Sequence, residues 1–198
     1  PQVVDAVSVP VVAACGFYDG RVLLAALAFG AQGIAMGTRF LMTSDSKVPD
    51  VTLERYVKTR DAEKIAISYL VDGMPQRMIP NEYLAMLEKA SPMKRLRIAL
   101  DLALKWKAET GMTTGQAMSI FMKALREDSS SLAQTVMAAN APMLLQRSMV
   151  QGDPAGGVMS AGQVAALIGK LDSCETVISG IVQQALERRN VLNQLATA

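Results

Sequence analysis

Apolar positions change their rhythm twice along the chain, and the changes divide it into three zones. Over 1–53, short continuous apolar runs alternate with one amphipathic stretch. PVVAAC (10–15) and GIAMG (33–37) are short and apolar enough to predict buried strands of a parallel sheet, covered on both faces. Between them GFYDG (16–20) predicts a turn in which Asp19 caps a helix, and RVLLAALAFG (21–30) predicts that helix, closed by Gly30. TRFLMTS (38–44) predicts one short helical turn. Strand, helix and strand at this spacing form a minimal βαβ unit.

Residues 54–150 are mostly helical in pattern. KIAISYLVDGMPQRMIP (64–80) opens with alternation and predicts an extra strand near 64–71, ahead of Gly73 and Pro75. Ser91 before Pro92 is an N-cap with proline at the first helical position, predicting a helix to Thr110 that Gly111 ends. On that helix Leu96, Leu100, Ala103 and Leu104 share one face, expected to be the packed one. Thr113-x-x-Gln116 is a capping box for a helix to Glu127, and SSS (129–131) starts another with Pro142 near its end. In 151–198, QGDPAGG (151–157) is a loop, and Asp172-x-x-Glu175 reads as a capping box for a closing helix to Leu195.

Charge and composition narrow the function. Lys and Arg number 20 against 18 Asp and Glu, a net +2 with no basic stripe, which excludes a nucleic-acid binder held by bulk charge. No apolar run reaches the ~18 residues of a membrane span. No targeting segment opens the chain, so a cytoplasmic protein without membrane contact is expected. Cys15 and Cys174 make no disulfide framework, in keeping with a reducing compartment. The chain has no His, which removes the commonest metal ligand and the usual base near neutral pH; no metal site is expected.

The chemistry concentrates at the two strand ends of the first zone. In a β/α barrel, ligand phosphates bind at the loops after strands 7 and 8 and at the start of a short extra helix. Glycines let backbone N–H groups approach phosphate oxygens, and a helix start offers unpaired donors. Cys15, Gly16, Gly37 and Thr38 fit such a cradle, Thr38 adding a hydroxyl. Turn and packing roles for Gly16 and Gly37 account for the spacing equally well.

PVVAACGFYDGRVLLAALAFGAQGIAMGTRF (10–40) resembles the strand-7 to strand-8 region of the nitronate monooxygenase family, the 2-nitropropane dioxygenase-like proteins. GMPQRMIPNEYL (73–84) resembles the segment after the last barrel strand, and GDPAGGVMSAGQVAALI (152–168) the closing loop with its Gly–Gln motif. The helices at 91–149 match weakly. These proteins are FMN-dependent TIM barrels, and the similar flavin-dependent enoyl-acyl-carrier-protein reductases share the region.

The resemblance implies FMN, with its phosphate held by backbone at Cys15–Gly16 and at Ala35, Met36, Gly37 and Thr38, and with Gln163 touching flavin or substrate from the closing loop. Cys15 stands where the family usually has its first Gly, and Ala35 where it often has Gln. A backbone-mediated site accommodates both if φ at Cys15 is negative. The six earlier strands, the ring-binding loops and the catalytic His of the family have no counterpart here, so catalytic residues are expected in an absent N-terminal part.

The implied fold class is α/β, the C-terminal portion of a TIM (β/α)8 barrel. Residues 1–53 would hold strands 7 and 8 and the FMN phosphate loops, 54–150 an added helical subdomain, and 151–198 the closing loop and a C-terminal helix packed on the barrel. The implied function is an FMN-dependent oxidoreductase, a monooxygenase of nitronates or a related small substrate. Two alternatives stand beside it: an FMN- and NAD(P)H-dependent reductase of an acyl thioester, and a non-catalytic half-barrel subunit. Expected partners are the small-molecule or acyl-thioester substrate, the N-terminal part of the barrel in the same or another chain, and a second copy in a homo-oligomer.

Secondary features take two readings each. The Met residues of the helical segment are core filler or the lining of an adaptable apolar pocket. Lys94, Arg95 and Arg97 are a solvated helix face or a dock for the phosphates of coenzyme A or a carrier protein. Arg39 is expected to anchor the short helix. Glu187, Arg188 and Arg189 read as surface charges.

Overall fold

The computed structural model describes residues 1–111, 113–116, 119 and 132–197. Met118, Met122, the expected helix out to Glu127 and the serines at 129–131 lie outside these residues. The elements in order are α1 (Gln2–Ala6), β1 (Val12–Ala14), α2 (Gly20–Ala28), β2 (Gly33–Ala35), α3 (Thr38–Leu41), α4 (Asp50–Lys58), β3 (Ala66–Ser68), β4 (Gln76–Met78), α5 (Glu82–Lys89), α6 (Pro92–Thr110), α7 (Leu132–Met149) and α8 (Cys174–Ala196), with a 3₁₀ turn at Gln163–Leu167. Contacts divide the chain into two interleaved units. One contains Pro1–Lys47, Tyr56–Ala62 and Gly162–Ala198; the other contains Val48–Arg55 and Glu63–Ala161.

The first unit is built on the βαβ motif. β1 and β2 pair in parallel, with Val12 opposite Gly33, Ala13 opposite Ile34 and Ala14 opposite Ala35. The two strands are not covered on both faces as their apolar runs led us to expect. Val12 is 58% exposed, and Ala14 and Ala35 are exposed as well. A parallel strand is buried only between neighbouring strands and under layers on both faces, and one pair of strands cannot provide that.

α2 connects the strands and packs on α8. Asp19 caps it, accepting from the backbone N–H of Arg21 at 3.0 Å and of Val22 at 3.2 Å. Burial pushes the Asp19 carboxyl up, but the Arg21 guanidinium and these two amides outweigh it and hold the group below the usual carboxylate range. Gly20 makes the close approach possible: a Cβ there would lie 2.5 Å from both Ala185 N and Gln184 Cβ. Its own N–H donates to Gln184 Oε1 at 3.1 Å. Ala26 on one helix and Val177, Ile181 and Ala185 on the other fill the seam.

The start of α8 departs from the expected Asp172-x-x-Glu175 box. Ser173 is the cap, its Oγ accepting from Thr176 N at 3.1 Å. Asp172 is engaged elsewhere, with Lys170 Nζ at 2.9 Å and Arg39 Nη2 at 3.6 Å. Two cations therefore hold its carboxylate away from the helix start.

The second unit has its own core of Val71, Met78, Leu84, Leu102, Met143, Leu144 and Val158. β3 falls inside the expected 64–71 and pairs antiparallel with β4, Ala66 opposite Met78 and Ser68 opposite Gln76. Asn81 ties the core to the loop at 152–157. Its Oδ1 accepts from Leu84 N at 2.9 Å to cap α5, and its Nδ2 donates to the Pro154 and Gly157 carbonyls at 2.8 Å. Ser91 caps α6, and Gly111 ends it at φ +65°. The Thr113–Gln116 capping box forms, with Thr113 N donating to Gln116 Oε1 at 3.0 Å and Gln116 N to Thr113 Oγ1 at 3.3 Å.

Two expectations about these helices fail. Leu100 and Leu104, expected on the packed face, are exposed while Leu102 is buried; the side chains of Leu96 and Ala103 lie outside the described residues. Pro142 does not sit near the end of its helix, which runs on to Met149. A proline removes one helix hydrogen bond, and here Met143 and Leu144, both buried in the core, hold the following turns in place. Met78, Met143 and Met159 are buried, as core filler requires.

Candidate functional site: the paired strand ends

The register Ala14 opposite Ala35 ends both strands at one level. Cys15–Gly16 and Met36–Gly37 therefore leave the sheet side by side. Thr38 extends the group to the closing loop, its Oγ1 accepting from Gly162 N at 2.9 Å. Gln163 follows, exposed, at the start of the 3₁₀ turn. The structure thus brings Cys15, Gly16, Ala35, Met36, Gly37, Thr38 and Gln163 to one end of the first unit, although nearly 150 residues of chain separate them.

Backbone angles correct one expectation. φ at Cys15 is +74°, not negative, and Gly16 follows at +85°. Two successive left-handed residues turn the chain sharply from β1 toward the Asp19-capped helix. A non-glycine residue in this region costs about 1–2 kcal/mol. Cys15 therefore occupies a backbone conformation that favours glycine.

Gly37 differs. Its φ of −86° and ψ of −69° are ordinary right-handed values open to any residue. A Cβ at Gly37, or at Gly16, would meet no atom within 4 Å. Packing therefore accounts for neither glycine. Turn geometry accounts for Gly16, and among the described residues nothing requires glycine at 37. The backbone N–H groups of Thr38 and Arg39 precede the first helical bond of α3, which runs from Phe40 N to the Gly37 carbonyl at 3.1 Å.

Arg39 is engaged within the chain. It donates to the Met42 carbonyl at 3.5 Å and pairs with Asp172, so it anchors α3 to the segment before α8. Of the basic cluster on α6, Arg95 is spent on structure: its guanidinium donates to the carbonyls of Leu87 at 2.9 Å and Glu88 at 3.3 Å, closing the end of α5. Among the described residues no group of three His, Cys, Asp or Glu could hold a metal ion, and no helix is long and apolar enough to cross a membrane. Both cysteines are free thiols.

The first unit also has a cleft of about 440 Å³ beside the start of α2, with Tyr18, Arg21, Leu167, Lys170, Gln184 and Arg188 in its walls. Sequence reading passed over it. Its charged residues come from four distant segments, each unremarkable alone, and no local motif joins them.

Comparison with known proteins places the chain in a family. The family model described as nitronate monooxygenase matches residues 1–184. The chain belongs to this family. It is 43% identical over 195 residues to the "(3aS,4S,5R,7aS)-5-hydroxy-7a-methyl-1-oxo-octahydro-1H-indene-4-carboxyl-CoA dehydrogenase" of Rhodococcus jostii strain RHA1, covering 98% of this chain and 55% of the relative. A probable nitronate monooxygenase of Staphylococcus aureus strain Newman is 37% identical over 84 residues, 42% of this chain and 23% of that protein. Among solved structures, FabK from Thermotoga maritima superposes with a TM-score of 0.64 at 25% identity, covering 98% of this chain and 50% of that one. The chain spans about half the length of the full-chain relatives it matches. The α/β fold is that of the family's TIM barrels.

The open space over Gly16 and Gly37, beside the Thr38 hydroxyl, has room for an anionic group such as a phosphate.

Proposed function

We propose that this chain supplies the phosphate-binding end of an FMN-dependent oxidoreductase whose substrate is an acyl-coenzyme A thioester and whose second substrate is a nicotinamide nucleotide. The observation that carries the flavin is Gly37: a glycine that neither backbone angle nor packing requires, opening space at the strand end where the family places its phosphate loops. The acyl thioester is supported by the carboxyl-CoA dehydrogenase, which matches along nearly all of this chain, whereas the nitronate monooxygenase matches along less than half. The remainder of a barrel, in the same or another chain, would cover the exposed faces of β1 and β2.

When bound, the flavin supplies a two-electron carrier between the substrates. The residues here hold and orient it. The amides at Gly16, Gly37 and Thr38 fix the phosphate, and the Thr38–Gly162 bond sets the loop that carries Gln163 beside it. The chain has no His, so no imidazole of its own can act as the acid or base beside the flavin.

The test is to purify the flavin-loaded protein, identify the released flavin by mass, and mix it anaerobically with an acyl-coenzyme A, a nitronate or NAD(P)H. The reading expects FMN, and a change of the flavin spectrum with the thioester or the nicotinamide. Absence of flavin, or reaction with the nitronate alone, overturns it.

A further inference from the structure

We propose that the cleft at the start of α2 binds the phosphorylated adenosine diphosphate end of a nucleotide-bearing substrate. The identity of that substrate rests on the function proposed above; the chemistry rests on the cleft. Its walls combine an aromatic ring, Tyr18, and a large exposed aliphatic side chain, Leu167, with cations from four segments: Arg21, Arg39, Lys170 and Arg188.

Three carboxylates also line it, and each is already engaged. Asp19 takes the Arg21 and Val22 amides and the Arg21 guanidinium. Asp172 takes Lys170 and Arg39. Glu187 accepts from Gln183 Nε2 at 3.0 Å. Donors remain: Arg188 forms no ion pair among the described residues, Lys170 is largely exposed and keeps hydrogens beyond its one contact, and Gln184 uses its oxygen on Gly20 and keeps its amide hydrogens. The Tyr18 hydroxyl accepts from Arg21 at 3.2 Å and keeps its proton.

A volume of about 440 Å³ is far more than inorganic phosphate fills, and it sits within the ~300–1,000 Å³ of small-ligand sites. The charged walls suit no acyl chain. An aromatic and aliphatic surface beside surplus N–H donors matches a purine joined to several phosphates. Coenzyme A and NADP both carry that group, with the extra phosphate on the 3′ or the 2′ oxygen.

The experiment is calorimetric titration of the flavin-loaded protein with adenosine 3′,5′-bisphosphate, with 2′-phosphoadenosine diphosphoribose and with inorganic phosphate, in the parent and in Lys170→Glu and Arg188→Glu. Neither residue belongs to the flavin cradle. The proposal expects one of the two nucleotides to bind, and each charge reversal to weaken it by about tenfold or more, with flavin content and melting temperature held. If the 3′ compound binds, coenzyme A is the source; KM for the acyl-coenzyme A then rises in the variants while the matching acyl-pantetheine, which lacks the nucleotide, is unaffected. If the 2′ compound binds, KM for NADPH rises instead. Binding of neither nucleotide, equal binding of inorganic phosphate, or indifference to both reversals overturns the proposal. Nucleotide binding that persists while no acyl thioester reacts overturns the proposed function and leaves the cleft standing.

Discussion

Replacing Gly37 with valine separates ligand binding from folding. The backbone there is at φ −86°, so a side chain adds no strain, and its Cβ meets nothing within 4 Å. Stability of the flavin-free protein should therefore move by no more than about 0.5 kcal/mol, as for an exposed substitution. The same side chain fills the space a phosphate would enter and blocks the amides behind it. A charge-assisted hydrogen bond is worth about 1.5–3 kcal/mol. At ~1.4 kcal/mol per factor of ten, losing one raises the FMN dissociation constant about tenfold to a hundredfold. The assay is fluorescence titration of the flavin-free protein with FMN and with riboflavin, beside a thermal melt. The parent should prefer FMN, and Gly37→Val should bind both alike at an unchanged melting temperature. If the variant retains the parent's preference, the phosphate does not sit at this turn. If it loses FMN only by losing stability, Gly37 has a packing role that the open space around it denies.

Other expectations follow from single residues. Cys15→Gly relieves a left-handed non-glycine but loosens the unfolded chain, a net gain of about 0.5–1 kcal/mol in a denaturant melt; a loss there would contradict the φ of +74°. Gly20→Ala pushes a methyl into the backbone of α8 and should destabilise by about 1–3 kcal/mol; an unchanged melt would mean the helices sit further apart. Glu82 is held by the Arg55 guanidinium at 2.7 and 3.0 Å, and with its helix amide this lowers its carboxyl to about 2. Because the folded-state value is depressed, that contribution is present above the ordinary carboxylate range and disappears as pH falls toward 2. Carboxylate NMR of the native protein should show this midpoint, and Arg55→Gln should return it upward; an ordinary midpoint in the parent would break the pair.

Much of the first unit was legible because its signals are local. Asp19, Gly30 and the two apolar runs set β1, α2 and β2 through capping and length alone. Ser91–Pro92 and Gly111 did the same for α6. The errors arose where a distant partner decides. Asp172 looked like a cap until Lys170 and Arg39 engaged it, and Ser173 capped instead. Leu100 and Leu104 carried the stronger apolar pattern, yet the core of Val71, Met78 and Leu144 took Leu102. β4 was missed because Gln76–Met78 has no strand pattern of its own and forms by pairing with Ala66–Ser68. At the strand ends, residue types announced a cradle, but spacing gave no hint that Cys15 adopts a glycine's φ or that Gly162 bonds Thr38. The cleft was illegible, since its cations meet only after α2, α3 and α8 assemble.

The most direct test of the strand-end cradle is a crystal structure of the protein with FMN bound. The account predicts the phosphate within hydrogen-bond reach, about 2.7–3.2 Å, of the amides at Gly16 and at Gly37 or Thr38. A phosphate held instead by Lys170 and Arg188, or one that contacts neither strand end, would contradict it.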